Sequence, residues 1–204
     1  MNADLDTYAD VMMTHAFTCT GPYAVLIMLG IKRVENRSML PEPRRGRCAV
    51  SCSKSFCKEE FGAFVHWASR ALSAEDFALI PSWADVKDWP GQIVGACDYA
   101  ARGRNDLVLE AETVRSSKET GRGRTRQGAS LPQTRPSASL SWDEGYPYWW
   151  DLSEVVRFDR PIPCRGNVGM WQLPPALAAE ITRADTLSRL IGAKNSSPCL
   201  RNAV

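Results

Sequence analysis

Apolar residues along the chain fall into short blocks separated by glycine, proline and charge, and the period changes from block to block. Gly21 to Gly30 opens with Pro22, carries the unbroken apolar run Ala24 to Leu29 and closes on Gly30, which predicts a short buried helix. Lys32 to Arg37 either alternates as a strand or turns sharply, and Pro41, Pro43 and Gly46 end it. Cys48 to Ser53 predicts a half-buried strand. Phe61, Phe64, Val65, Ala68 and Leu72 recur at helical spacing with Lys58, Glu59 and Glu60 off that stripe, so Phe56 to Leu72 is expected to be an amphipathic helix. The turn Trp89, Pro90, Gly91 leads into a strand expected to run to Tyr99.

Periodicity is lost after Leu109, and Ser116 to Ser141 holds Gly, Arg, Ser, Thr and Pro with almost nothing to bury, so residues 102–145 are expected to be a mobile, disordered insertion. Tyr148, Trp149, Trp150, Leu152, Val155, Val156 and Phe158 restore strand-forming character. A turn at Pro161, Ile162, Pro163 then precedes a short strand from Met170 to Leu173, and Pro175 to Leu190 reads as an amphipathic helix packing through Leu177, Ile181, Leu187 and Leu190. Short strands, few helices and frequent Gly/Pro punctuation predict an α+β fold, mainly β, built as a small barrel with helices on its rim.

With 204 residues, 44% of them hydrophobic and 24% charged, the composition is that of an ordinary globular domain and excludes coiled coils, collagens and wholly disordered chains. No apolar run approaches the roughly 20 residues of a membrane span, so no membrane partner is expected. The first eleven residues hold three Asp and no Lys or Arg, the reverse of a secretory leader, and seven scattered Cys suit reduced thiols. Both point to the cytosol, or to a nucleus if there is one. The net charge of +2 hides blocks: residues 32–58 carry eight Lys/Arg against two Glu, residues 113–135 six against one, and residues 59–98 a net −5. Local excess decides phosphate attraction, and Arg, which outnumbers Lys 19 to 6, grips phosphate in two places and stacks on bases. A solvated charged face is the plainer reading of such a run.

Pro22, Tyr23, Ala24 followed by Gly30, Ile31, Lys32, Arg33, Val34, Glu35, Asn36, Arg37, Ser38 resembles the signature of the ASCH family, a branch of the PUA-like fold, P-[WY]-A then G-x-K-x-x-E-x-R-[ST]. Three further blocks follow in family order: Arg45, Gly46, Arg47 before the strand ending Cys52, Ser53, Lys54; Gly91, Ile93, Val94, Gly95 and Asp98; and Pro161, Ile162, Pro163, Gly166, Trp171 and Leu173. The resemblance implies a closed PUA-like barrel over residues 15–174, interrupted by the insertion at 102–145, with an N-terminal extension at 1–14 and a C-terminal helix and tail at 175–204. It also implies a cleft beside the first helix, floored by Lys32, that takes nucleic acid or a nucleoside. Some relatives are nucleic-acid-binding modules, small bacterial ones are amidohydrolases acting on acetylated cytidine, and a few have been assigned ribonuclease activity. The amidohydrolase branch has Thr three residues after the Lys, where this chain has Glu35.

Lys32 is the first candidate for chemistry, because an amine in a partly desolvated cleft loses basicity and can work as a base near neutral pH. Glu35 and Arg37 share a face if their segment is a strand, whereas Lys32 joins them only if the chain turns at Gly30. Glu35 is then either a proton shuttle or the partner of Arg37 in a buried ion pair. Ser38, Ser53 and Lys54 are candidate phosphate contacts, and Tyr23 and Trp149 offer faces for stacking an unpaired base, while Trp150 and Trp171 read as core. Cys48, Cys52, Cys57 and His66 fit no zinc spacing, neither His15 nor His66 suits a triad, and no cofactor or metal is expected. The favoured function is a binder of RNA or single-stranded DNA, with the Arg-rich insertion adding grip; the alternatives are an amidohydrolase of an acylated nucleoside with Lys32 and Glu35 as catalytic pair, or a ribonuclease.

Overall fold

The computed structural model describes residues 12–103 and 146–196. The chain starts with β1 (His15–Cys19), which the hydrophobic pattern does not predict, and passes at once into α1 (Gly21–Met28). Pro22 sits in the first turn of α1, and Ala24 to Met28 are all buried, as a helix apolar on every side requires. β2 (Val34–Arg37) and β3 (Arg45–Cys52) follow, then α2 (Lys58–Ala71), two short helices α3 (Ala74–Ala78) and α4 (Trp83–Val86), and β4 (Gln92–Gly103). β5 (Tyr148–Pro163), β6 (Met170–Gln172) and α5 (Pro175–Ser196) complete the described residues.

The six strands form one mixed sheet in the order β2, β5, β4, β3, β1, β6, in which only the β1–β3 pair is parallel. The α+β class is as expected. The closed barrel is not: among the described residues the sheet is open, with β2 and β6 as edges, and curls into a half-barrel. Register shifts at Val50/Ser51, Ile93/Gly95 and Ala96/Asp98 mark bulges, the devices that bend a sheet. The curl is deep enough that Arg37 on β2 reaches the Thr18 carbonyl oxygen on β1 at 2.9 Å, four strands away in sheet order. Side chains, not a backbone ladder, span that gap.

Each face of the sheet has its own core. Phe17, Cys48, Val50, Cys52, Trp150 and Leu152 pack with α1 and with Phe61, Phe64 and Ala68 of α2. Ala16, Ala49, Ile93, Ala96, Phe158 and Ile162 pack with Ala178 and Ile181 of α5. β3 is therefore buried on both faces from Cys48 to Cys52, not half-buried. β4 also runs four residues beyond Tyr99, into the start of the expected insertion.

Two further expectations are corrected. Pro161 and Pro163 continue β5 instead of making a turn, because β2 pairs only with Tyr148 to Asp151 and leaves the rest of β5 as an edge, where proline is tolerated. On α5, Leu187 and Leu190 are exposed, and the inward positions are Ala178, Ile181 and Asp185. Asp185 makes a two-pronged contact with Arg47 of β3 at 2.5 and 2.6 Å, and Arg47 also holds Asp98 at 2.9 Å. Burial opposes the Arg47 charge, but its bonds to Asp185 and Asp98 outweigh that and hold its pKa above the ordinary arginine value. Met13, expected in the extension, is buried and its amide donates to Thr182 of α5 at 3.0 Å. The rest of that extension, the insertion beyond Gly103 and the tail after Ser196 lie outside the described residues.

Candidate functional site

Gly30 organises the site. At φ +70° it adopts the left-handed conformation that glycine takes without penalty, and Leu26 O then accepts from both Ile31 N and Lys32 N at 3.0 Å. This helix stop turns the chain so that Lys32 points back under α1 while Glu35 and Arg37, two apart on β2, face the same interior. The convergence that the motif spacing allowed therefore occurs. Lys32 Nζ bonds to the Val34 carbonyl oxygen, lies 3.7 Å from Glu35 Oε2 and sits 4.7 Å from the centre of the Tyr23 ring. Glu35 Oε1 is 3.0 Å from Arg37 Nη2.

Arg37 closes the group. Its guanidinium carbon is 5.5 Å from the Phe17 ring and 5.2 Å from the Trp150 ring, which themselves meet edge to face at 5.6 Å. Such cation–π contacts strengthen once desolvated. Arg37 Nε and Trp150 Nε1 are buried donors with no hydrogen-bond partner among the described residues. Each unmet donor of this kind costs about 1–3 kcal/mol, so an acceptor placed here would be held.

The site differs from an open cleft floored by an amine. Lys32 is 1% exposed and Glu35 5%, while Tyr23 and Arg37 are half-buried and form the rim. Cys19 lies beside them. Burial first, then the Glu35 and Cys52 charges, push its thiol well above the ordinary range against the smaller pull of Arg37 and Lys32, so it stays protonated.

The other candidates lie elsewhere. Trp149 pairs with Asn36 and Arg102, whereas Trp150 pairs with Glu35 and Ala101, so Trp149 projects from the opposite face and takes no part in the cluster. Ser38 is exposed just past the end of β2. Ser53 bonds to Ser55 at 2.8 Å, and exposed Lys54 lines a separate open groove with Arg165. Trp171, read as core, is half-buried and donates to Thr18 Oγ1 at 3.2 Å. Cys48 and Cys52 are core residues on β3, and no group of three potential metal ligands occurs among the described residues. Phe17 and Trp150, which cradle Arg37, carry no local signal in the sequence; their role comes from pairing across the curl.

No family model matches the chain, and no curated protein matches it. The likeness to the ASCH signature rests on the motif residues themselves. No helix among the described residues is long and apolar enough to cross a membrane.

Proposed function

We propose that the protein binds single-stranded nucleic acid, RNA or DNA, as a member of the ASCH branch of PUA-like proteins whose barrel is left open in the described residues. The observation that carries this reading is the placement of Arg37. It lies between two aromatic rings with Nε uncommitted; its backbone pairs with Tyr148, beside the end of β4 past Arg102, while its guanidinium reaches across the curl to Thr18 of β1, which pairs with Ser51 near the other end of β3. Arg45 pairs with Ala100, Arg102 with Trp149 and Arg37 with Tyr148, so Arg45 and Arg102 share the Trp149 face of the sheet while Arg37 lies on the opposite one, with Trp150. Arg44 and Arg45 are exposed there. The chain also leaves for residues 104–145, which contain the second basic block, from this same end.

In this reading exposed arginines hold phosphates and the Tyr23–Arg37 rim takes a base, with Lys32 and Glu35 fixing the rim from behind. A labelled single-stranded oligonucleotide is expected to bind at low salt, and Arg44→Gln/Arg45→Gln is expected to weaken it without unfolding the protein. Absence of binding at low salt contradicts the reading.

One observation favours a second reading. Lys32 and Glu35 form a 3.7 Å amine–carboxylate pair shielded from water, as a proton-transferring site for hydrolysis of an acylated nucleoside needs. There the pair works in its uncharged form: the Lys32 amine takes the proton of the attacking water, protonated Glu35 gives its proton to the departing amine, and the proton on Lys32 then passes to Glu35 to restore the starting state. Incubation with acetylcytidine, comparing wild type with Lys32→Ala, tests it: turnover lost in the variant supports it, and no turnover by wild type excludes it.

A further inference from the structure

A water-accessible concavity among the described residues lies away from Lys32. It lies beyond the far end of β3 from Arg45, where three chain segments meet: the turn after β3, the turn before β4 and the end of β5. Lys54, Pro90, Gly91, Pro163, Cys164 and Arg165 line it, with a volume of about 610 Å³. Gly91 ties the segments together, its amide donating to Cys52 O at 3.0 Å and its carbonyl accepting from Cys164 N at 3.2 Å. Pro90 and Pro163 stiffen the same walls.

Gly91 also shapes the Lys54 side chain. At φ +72° it takes the left-handed conformation, and a Cβ there would lie 2.9 Å from Lys54 Cγ and 3.2 Å from Lys54 Cε. The lysine stem therefore lies flat on the glycine, which confines an exposed side chain that would otherwise sweep solvent. Arg165 stands on the opposite segment, also exposed, and neither cation forms an ion pair among the described residues.

The groove floor adds no negative charge. Burial raises the pKa of the Cys164 thiol, against the smaller pull of its Ser51 bond and of Lys54, so the sulfur stays neutral, 3.5 Å from buried Ser51 Oγ. A confined ammonium and an exposed guanidinium on a neutral, water-accessible floor match a tetrahedral oxyanion: the ammonium supplies a point charge and the guanidinium a fork of donors.

We propose that this groove is a phosphoryl-binding site, held by Lys54 and Arg165 and separate from the Arg37 cluster. The phosphoryl group belongs either to a free phosphate or to the backbone of a bound strand, and the site's existence does not depend on the function proposed above.

Amide chemical shifts of the full chain, followed during titration with inorganic phosphate and then with a single-stranded oligonucleotide lacking terminal phosphates, test it. Saturable shifts at Gln92, Cys164 and Arg165 are expected with phosphate. Lys54→Gln/Arg165→Gln is expected to weaken phosphate binding by at least about tenfold, the loss appropriate to a charge-assisted contact. Both side chains are exposed, so the variant should fold, and Arg70→Gln, an exposed arginine of α2 outside the groove lining, should leave phosphate binding unchanged. If the oligonucleotide moves the same amides and competes with phosphate, the groove holds a strand; if only phosphate moves them, it holds the free anion. Absence of saturable shifts with either ligand, or equal affinity in wild type and the groove variant, overturns the proposal. Strand binding that survives in the groove variant, together with phosphate affinity unchanged from wild type, would leave the Arg37 reading standing while this one fails.

Discussion

At position 37 a guanidinium is committed to three kinds of partner at once: a carboxylate, a backbone carbonyl and two aromatic rings. Removing it would leave Glu35, 5% exposed, as a buried charge with its strongest partner gone. Arg37→Met is therefore expected to destabilise the fold by about 3 kcal/mol in urea unfolding, with much of the loss recovered when Glu35 is also made apolar. Equal losses in the single and double variants would contradict this account of the pair. The spacing of Glu35 and Arg37 placed them on one face of a strand, and Gly30 announced the turn that brings Lys32 to them. What the sequence could not supply was the aromatic cradle. Trp149 and Trp150 are adjacent and chemically alike, and a one-residue offset along a strand decides which of them faces inward. That offset is fixed by pairing with Glu35 on β2, more than 100 residues away.

Periodicity finds a helix more readily than it finds the side that is buried. On α5, Ile181, Leu187 and Leu190 all fit an apolar stripe, yet Ile181 is 0% exposed and Leu187 57%. The decision rests with Asp185, which Arg47 anchors from a strand 138 residues away in sequence. Ile181→Ala is expected to cost about 2–5 kcal/mol of unfolding free energy and Leu187→Ala within about 0.5 kcal/mol. Comparable losses would place the wrong side of α5 against the sheet.

The short helix α4 is capped through Asp85, whose Oδ2 accepts from both the Ser82 hydroxyl and the Ser82 amide, at 2.6 and 2.9 Å. Those bonds lower the Asp85 pKa. The cap thus contributes its stability above the ordinary Asp value of about 3.9 and loses it as pH falls through the lowered value. Carboxyl titration by NMR should show the Asp85 midpoint rising in Ser82→Ala, and an unmoved midpoint would deny the bond its role. The serine-to-aspartate spacing is legible in sequence, but a helix of four residues gives too little periodicity to reveal itself.

Over the whole molecule, the α+β class and most strands follow from local pattern, whereas the open edge does not. A barrel and a curled sheet share the same alternation, and they differ only in whether the last gap is crossed by backbone or by side chains. Here Arg37 crosses it, which gives one cluster two duties, holding β2 near β1 and presenting a cationic, aromatic rim. Charge behaves similarly. Arg45 and Arg102, far apart in sequence, come to one end of the sheet only through the β3–β4 and β4–β5 pairings, and those long-range registers were outside the reach of local pattern.

The salt dependence of single-strand binding tests that gathering of charge most directly. Measured by fluorescence anisotropy between about 50 and 200 mM salt, the logarithm of the wild-type binding constant should fall linearly with the logarithm of salt, and Arg44→Gln/Arg45→Gln should reduce the slope by about 0.7 for each phosphate that is no longer neutralised. Binding that ignores salt, or a slope unchanged by the double substitution, would contradict the claim that this end of the sheet grips a strand.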